Sequence, residues 1–405
     1  MAWLTDKWFV SPYNYVDEVR KIMKLPEKVY IHDTTLRDGE QQPGVVFRKG
    51  EKLEIAMALD DAGVDFIEAG MPAVSREDLE AAKAIARQGL KAKVLVFTRC
   101  LKEDVDLALE AEVPGVVMEL PASDHIMEYA YKWPIDKALE RSQDAVEYAK
   151  QHGLYVKLFT IDATRSSLEF LKTMTESVGR RLDVLTIADT FGVMNPYAME
   201  YFIRRVREFV DKPVEVHTHD DFGLAVANSV AAVVGGATTV HVTVNGIGER
   251  SGNAALEETV LTLELLLGVR TNVRLNRLYK LSKLVESLSG VPLPPQKAVV
   301  GDNAVRIESG ILADWWYSVK DSRPVEVLPY LPTLVGRKAD VSVLLGKKSG
   351  RRNVVEKLRE WGISVRDEEV ALILMRLKDI AVERKRILTE DEFRELVREV
   401  LRAKV

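Results

Sequence analysis

The chain has 405 residues, 47% of them hydrophobic and 29% charged, with a formal net charge of −5, the make-up of a globular protein with room for one large domain and a smaller one. Fifty-seven basic residues face 62 acidic ones with no dense Lys/Arg block, which argues against a nucleic-acid partner or a polybasic membrane surface. Cys100 is the only cysteine, which excludes an intrachain disulfide, a cysteine-built zinc site and a thiol pair, and fits a reducing cytoplasm.

Residues 1–28 read as an N-terminal extension. The opening "MAWLTDKWFVSPYNYVDEVRK" lacks a long apolar core, and no run approaches the roughly 18 apolar residues of a membrane span, so neither a signal peptide nor a span is expected. From residue 29, β-branched runs alternate with helix-like stretches. Eight runs can be counted: "VYIHD" (29–33), "VDFIEAG" (64–70), "AKVLVFT" (92–98), "GVVMEL" (115–120), "LYVKLFT" (154–160), "DVLTIAD" (183–189), "VEVHTH" (214–219) and "TVHVTVN" (239–245). The stretches between them, such as "PIDKALERSQDAVEYAKQHG", carry apolar residues at helical spacing and a glycine near the end. Strand then helix, eight times over, predicts an α/β fold with a (β/α)₈ barrel over 29–270, the alternative being an open doubly wound sheet. "GNAALEETVLTLELLLG" reads as the closing helix. Residues 271–405 then pass through a Pro/Gly-rich segment into charged helices, so a smaller, mainly helical C-terminal region is expected.

In such a barrel the chemistry collects where strands end and βα loops begin. Those positions are strongly polar: "HDTTLRDGEQQPG" after the first run, Glu68 after the second and Arg99 after the third. Glu119 and then Ser123, Asp124 and His125 follow the fourth; Thr160, Asp162 and Arg165 the fifth; Asp189 and Thr190 the sixth. His217 and His219 end the seventh, and "NGIGERSGN" follows the eighth. Residues i and i+2 of a strand share a face, so the two imidazoles project together. With Asp38 they form a His₂/carboxylate set for Zn, Mn, Mg, Co or Fe, to which Asn253 can add an oxygen. Histidines that merely hydrogen-bond inside the mouth are the alternative. Arg37, beside Asp38, is placed to stabilise charge on a carbonyl oxygen, or else only neutralises Asp33, Glu68 and Asp189. The glycines of "NGIGERSGN" lack either nucleotide fingerprint and read best as a tight turn. "SDHIMEYAYKW" reads as packing or as an aromatic substrate wall.

The motifs "DTTLRDGEQ", "IEAGMPAVS", "IADTFGVMNP", "HTHDDFGLAVANS", "VTVNGIGERSGNAALEE", "VVGDNAVRIESGI" and "LLGKKSGRRNV" together resemble the homocitrate, 2-isopropylmalate and citramalate synthases. These belong to the metallolyase superfamily that includes hydroxymethylglutaryl-CoA lyase. The resemblance implies a (β/α)₈ barrel with small C-terminal subdomains, a divalent metal (Mn, Zn, Mg or Co), and Claisen condensation of acetyl-CoA with a 2-oxo acid. It also implies a homodimer. It assigns Asp38, His217 and His219 to the metal with Asn253 close by, Arg37 to the carbonyl oxygen of the 2-oxo acid, and Gln41, Glu68 and Thr190 to the pocket lining. Arg99 joins these as a substrate-binding candidate. The extra regulatory domain of many 2-isopropylmalate synthases has no counterpart here, so feedback through it is not expected.

The proton relay departs from the family pattern. Ile161 stands where family members usually carry a Glu before "DATR", Leu312 replaces the His of "GIHADG", and the Tyr expected shortly afterwards is displaced, with Tyr317 and Tyr330 nearby. Enolising acetyl-CoA needs a base near its methyl group, and Asp162, Glu119 and His125 are the strand-end candidates. A carbon–carbon lyase acting on a 2-hydroxy acid is the alternative activity, although the catalytic cysteine of hydroxymethylglutaryl-CoA lyase is absent, and a non-catalytic 2-oxo acid sensor is a third.

Overall fold

The computed structural model describes residues 2–178 and 181–402. Eight parallel strands close into a barrel in sequence order: β1 (Tyr30–Asp33), β2 (Phe66–Glu68), β3 (Lys93–Arg99), β4 (Gly115–Pro121), β5 (Tyr155–Ile161), β6 (Val184–Asp189), β7 (Val214–Thr218) and β8 (Thr239–Val242). The ring is sealed by β1 against β8, with His32 opposite His241 and Asp33 opposite Val242. The barrel expected from eight strand–helix repeats is therefore the fold, and the open sheet is not. Strands covered on both faces need apolar residues at nearly every position, and β6 and β7 are buried along their whole length.

Helices α1 (Lys49–Ala62), α2 (Arg76–Ala86), α3 (Lys102–Glu110), α4 (Ile135–Gln151), α5 (Leu168–Val178), α6 (Pro196–Val206), α7 (Ala225–Gly235) and α8 (Leu256–Leu261) follow the strands in turn. Local sequence sets their ends. Ser75 caps α2 by accepting the Asp78 N–H at 3.1 Å, and Asn195 caps α6 by accepting the Ala198 N–H at 3.0 Å, with Pro196 at the first helical position. α1 stops at Gly63, whose φ of 89° and close approach to the Asn272 carbonyl leave no room for a Cβ.

The second run, read over 64–70, is a strand only at Phe66–Glu68, and two further elements differ from the sequence reading. The eighth run, read to 245, stops at Val242, because the chain turns into a 3-10 turn at Val244–Gly246 with Asn245 at φ 64°. The closing helix is α-helical only to Leu261 and continues as a π turn at Thr262–Leu266.

The barrel unit spans Ser11–Leu293 and includes α9 (Leu278–Ser289). A second compact unit combines Trp3–Val10 with the chain from Pro294 onward. It is mainly helical, as expected, with α10 (Gly310–Val319), α11 (Arg351–Glu360), α12 (Asp367–Arg384) and α13 (Glu390–Arg402), plus a two-stranded parallel pair, β9 (Arg306–Ile307) and β10 (Ser342–Val343). Its core is built by Val354, Leu358, Ile373, Leu377, Phe393 and Leu396. Among the described residues, no helix is long and apolar enough to cross a membrane.

Candidate metal centre and active site

The end of β7 and the β1–α1 loop meet at the C-terminal mouth of the barrel. His217 Nε2 lies 3.1 Å from Asp38 Oδ2, His219 Nε2 lies 3.5 Å from the same oxygen, and the two Nε2 atoms are 3.2 Å apart. All three residues are buried. Burial pushes the His219 imidazole down to about 4, so it is neutral at neutral pH. Burial alone would raise Asp38, but the Arg37 guanidinium and the two imidazoles hold it well below the usual carboxylate range. Two imidazoles with their Nε2 atoms in contact, both facing an ionised carboxylate oxygen that accepts no hydrogen bond, make a poor closed network. They make a good ligand set: bonds of about 2.0–2.1 Å to a common ion would space such atoms roughly 3.3 Å apart. The residues present therefore fit a divalent cation.

Asn253 sits in the loop after β8, where its backbone bridges to His219. Its Nδ2 donates to the Ile247 carbonyl at 3.3 Å, and its buried Oδ1 has no hydrogen-bond partner. The glycines of "NGIGERSGN" make this packing feasible. Gly252, at φ 90°, lies so close to the Gly246 carbonyl that a Cβ would collide with it, which accords with the tight-turn reading of the loop.

Arg37 stands between this cluster and an aromatic wall. Its Nε donates to Glu68 Oε1 and its Nη1 to Gln41 Oε1 at 3.3 Å, while its guanidinium lies 4.3 Å from the Phe97 ring centroid. The buried Nη2 has no partner. A cavity of about 200 Å³ opens here, lined by Arg37, Asp38, Gln41, Phe97, Glu119, Phe159, Ile161, Thr190, His217, His219, Glu249 and Arg250.

The other predicted residues divide. Thr190 lines the cavity; its Oγ1 accepts the Asp162 N–H at 2.8 Å, which leaves the hydroxyl proton to donate. Glu119 also lines it, accepting a 2.8 Å hydrogen bond from the Tyr131 hydroxyl, and burial raises its pKa although Tyr131 and Arg37 oppose this. Glu68 is fully buried behind Arg37. Three candidates are not brought to the cavity. Asp162 is held by both nitrogens of an Arg165 fork, at 2.7 and 2.9 Å, and by the Ser123 hydroxyl. His125 is exposed, and Arg99 is forked onto Asp104 at 2.9 and 2.7 Å.

Sequence reasoning missed the layer beneath. Lys157 Nζ, fully buried, lies 2.6 Å from Glu215 Oε1 and 3.1 Å from His32 Nδ1. His241 Nε2 lies 3.0 Å from Glu215 Oε2, and His32 Nε2 lies 3.4 Å from Glu68 Oε2. His32, Glu68 and His241 thus form a second buried His₂/carboxylate group. Lys157 Nζ faces His32 Nδ1, and the other ring nitrogen, Nε2, is turned toward Glu68. Arg37 Nε serves Glu68 Oε1, whereas Glu68 Oε2 has no hydrogen-bond partner. The signal was available: alternation puts Glu215 on the face of His217, and Lys157 on the face of Phe159.

Barrel, buried ligand cluster and adjoining guanidinium define a catalytic mouth of the kind that (β/α)₈ enzymes carry at their strand ends. The chain belongs to the HMGL-like family, whose description matches residues 28–285. It is 44% identical over 393 residues to a homocitrate synthase of Methanopyrus kandleri, covering 96% of this chain and 97% of that protein. It is 45% identical over 386 residues to a probable 2-isopropylmalate synthase of Ignicoccus hospitalis, covering 94% of each. With an (R)-citramalate synthase of Methanocaldococcus jannaschii it shares 43% over 373 residues, 92% of this chain and 74% of the relative. The chain is an enzyme of this synthase class, an acyltransferase. The fold is shared with the hydroxymethylglutaryl-CoA lyase of Bacillus subtilis, at a TM-score of 0.61 and 24% identity over 67% of this chain and 97% of that one.

Proposed function

We propose that the enzyme condenses acetyl-CoA with a 2-oxo acid at the Asp38–His217–His219 centre, yielding a 2-hydroxy-2-carboxymethyl acid and free CoA. The observation that carries this is the convergence of three ligand atoms beside a guanidinium whose Nη2 is buried and unpaired. A divalent ion, Mn, Zn, Mg or Co, held by Asp38, His217 and His219 with Asn253 Oδ1 in reserve, supplies Lewis acidity toward the carbonyl. Arg37 Nη2 donates to the 2-oxo oxygen and stabilises the alkoxide that forms there. The Thr190 hydroxyl donates to the substrate carboxylate. Glu119 is the one proposed base that lines the cavity. Tyr131 occupies its Oε1, so Oε2 takes the proton from the acetyl methyl group. The resulting carbon nucleophile bonds to C2 of the 2-oxo acid, the alkoxide is protonated, and water cleaves the thioester to release CoA. A raised pKa suits this role, because it brings the carboxylate closer to the acidity it must match.

The same reading includes a homodimer in the cytoplasm. Similarity to the synthases supports the dimer, as does the exposure of Ile311, Leu312 and Trp315 on α10; a monomer in light scattering at micromolar concentration would remove it. The activity is tested by following thiol release from acetyl-CoA with a panel of 2-oxo acids and Mn or Zn. Release should exceed the Arg37→Ala background and fall at least about 100-fold in Glu119→Gln. No release with any acid would remove the synthase reading and favour a lyase.

A further inference from the structure

We propose that the 2-oxo acid accepted by this enzyme carries one carboxylate and a short apolar side chain, because the cavity offers no uncommitted cation to a second carboxylate. The inference rests on the condensation reading and names its substrate class. The two cations that line the cavity, Arg37 and Arg250, are already engaged, as are Arg99, Arg165 and Lys157 in or after β3 and β5. Arg250, at the cavity wall, is forked onto Asp221 at 2.8 and 2.9 Å. Arg99 and Arg165 are forked onto Asp104 and Asp162. Lys157 lies below, fully buried against Glu215 at 2.6 Å. Arg37 is bound to Glu68 and Gln41, and its unpartnered Nη2 is the donor that the 2-oxo group of the same substrate takes.

The anions point the other way, for Glu119 and Glu249 both line the cavity. The surface left for the substrate side chain is apolar. Phe97 and Phe159 pack edge to face with centroids 5.3 Å apart, and Ile161 follows Phe159 at the end of β5. Glu119 is the direct cross-strand partner of Phe159, so a second carboxylate lying on this wall would sit beside a like charge with no counter-ion. An ion stripped of water without a partner is strongly disfavoured, and like charges brought together disfavour it further. A methyl or branched alkyl group gains contact with the same rings, roughly tenfold in selectivity for each methylene. Ile161 gives the position a specificity role, since a residue there faces the cavity from the end of β5.

The test is an equilibrium titration of the Zn-loaded full chain, by calorimetry without acetyl-CoA, run beside the thiol-release assay. Pyruvate, 2-oxobutyrate and 2-oxoisovalerate are the monocarboxylates; oxaloacetate and 2-oxoglutarate are the dicarboxylates. The expected result is that the best monocarboxylate binds at least about 100-fold more tightly than either dicarboxylate. Ile161→Arg, which places a cation on the wall, should narrow that ratio at least about tenfold. Equal or tighter binding of a dicarboxylate by the unmodified chain overturns the inference, and thiol release with that acid would leave the condensation reading standing. Selective monocarboxylate binding with no thiol release supports the inference and removes the condensation. Failure of all five acids to bind overturns both.

Discussion

Two buried clusters of the same composition lie one above the other in this barrel. Asp38, His217 and His219 occupy its mouth, while His32, Glu68 and His241 occupy its middle. Residue type does not separate them; their neighbours do. In the upper cluster the ligand atoms face one another and Asp38 Oδ2 accepts no hydrogen bond. In the lower one Lys157 reaches His32 at 3.1 Å and Glu215 at 2.6 Å, and Arg37 binds Glu68. Lys157 and Arg37 balance the charges of Glu215 and Glu68, so the lower layer carries its own counter-charges, although His32 Nε2, Glu68 Oε2 and His241 Nδ1 also have no hydrogen-bond partner. The upper cluster has no such counter-charge of its own making, and a divalent ion would close it. Glu68 joins the two layers, since its carboxylate touches both Arg37 above and His32 below.

The sharpest way to break this contrast is to remove the lower cation. Lys157→Met should leave Glu215 ionised and short of its principal partner inside the barrel, at a cost of about 3–5 kcal/mol in urea unfolding. Adding Glu215→Gln to that variant should recover much of the loss, because the stranded charge goes with it. A loss under about 1 kcal/mol in Lys157→Met would mean that the lower network is not charge-closed as described.

A smaller effect follows from Glu68. Burial opposes its ionisation, but Arg37 and His32 hold its pKa at about 2 against an ordinary 4.5. Between those values the unfolded chain binds more protons than the folded one. The contribution is therefore complete above pH 4.5 and is lost as the pH falls toward 2, for a total of about 3 kcal/mol. The stability difference between the wild type and Glu68→Gln should accordingly shrink between pH 6 and pH 3. A difference that is constant across that range would detach Glu68 from Arg37.

The same contrast explains what could be seen in the sequence and what could not. Eight β-branched runs made the barrel legible. His217 and His219 were legible because a strand that ends in His-Thr-His aims both rings the same way. Position alone did not assign work to the other strand-end residues. Asp162 and Arg99 sit where a catalytic or binding group would be expected, yet each is committed to a local ion pair three or five residues along the chain. Glu68 was seen as lining the pocket, but β2 is only three residues long and delivers the carboxylate behind Arg37. Lys157, Glu215, His32 and His241 went unremarked as a group because each is a single polar residue inside an apolar run. Their partnership depends on the barrel closing: His32 meets His241 only where β1 pairs with β8.

The most direct measurement is the divalent metal content of the purified full chain and two variants, by plasma emission after dialysis against micromolar metal. The account predicts one ion per chain in the wild type, one in His241→Gln, and none in His219→Ala. Metal unchanged in His219→Ala, or lost in His241→Gln while the variant remains folded, would contradict it.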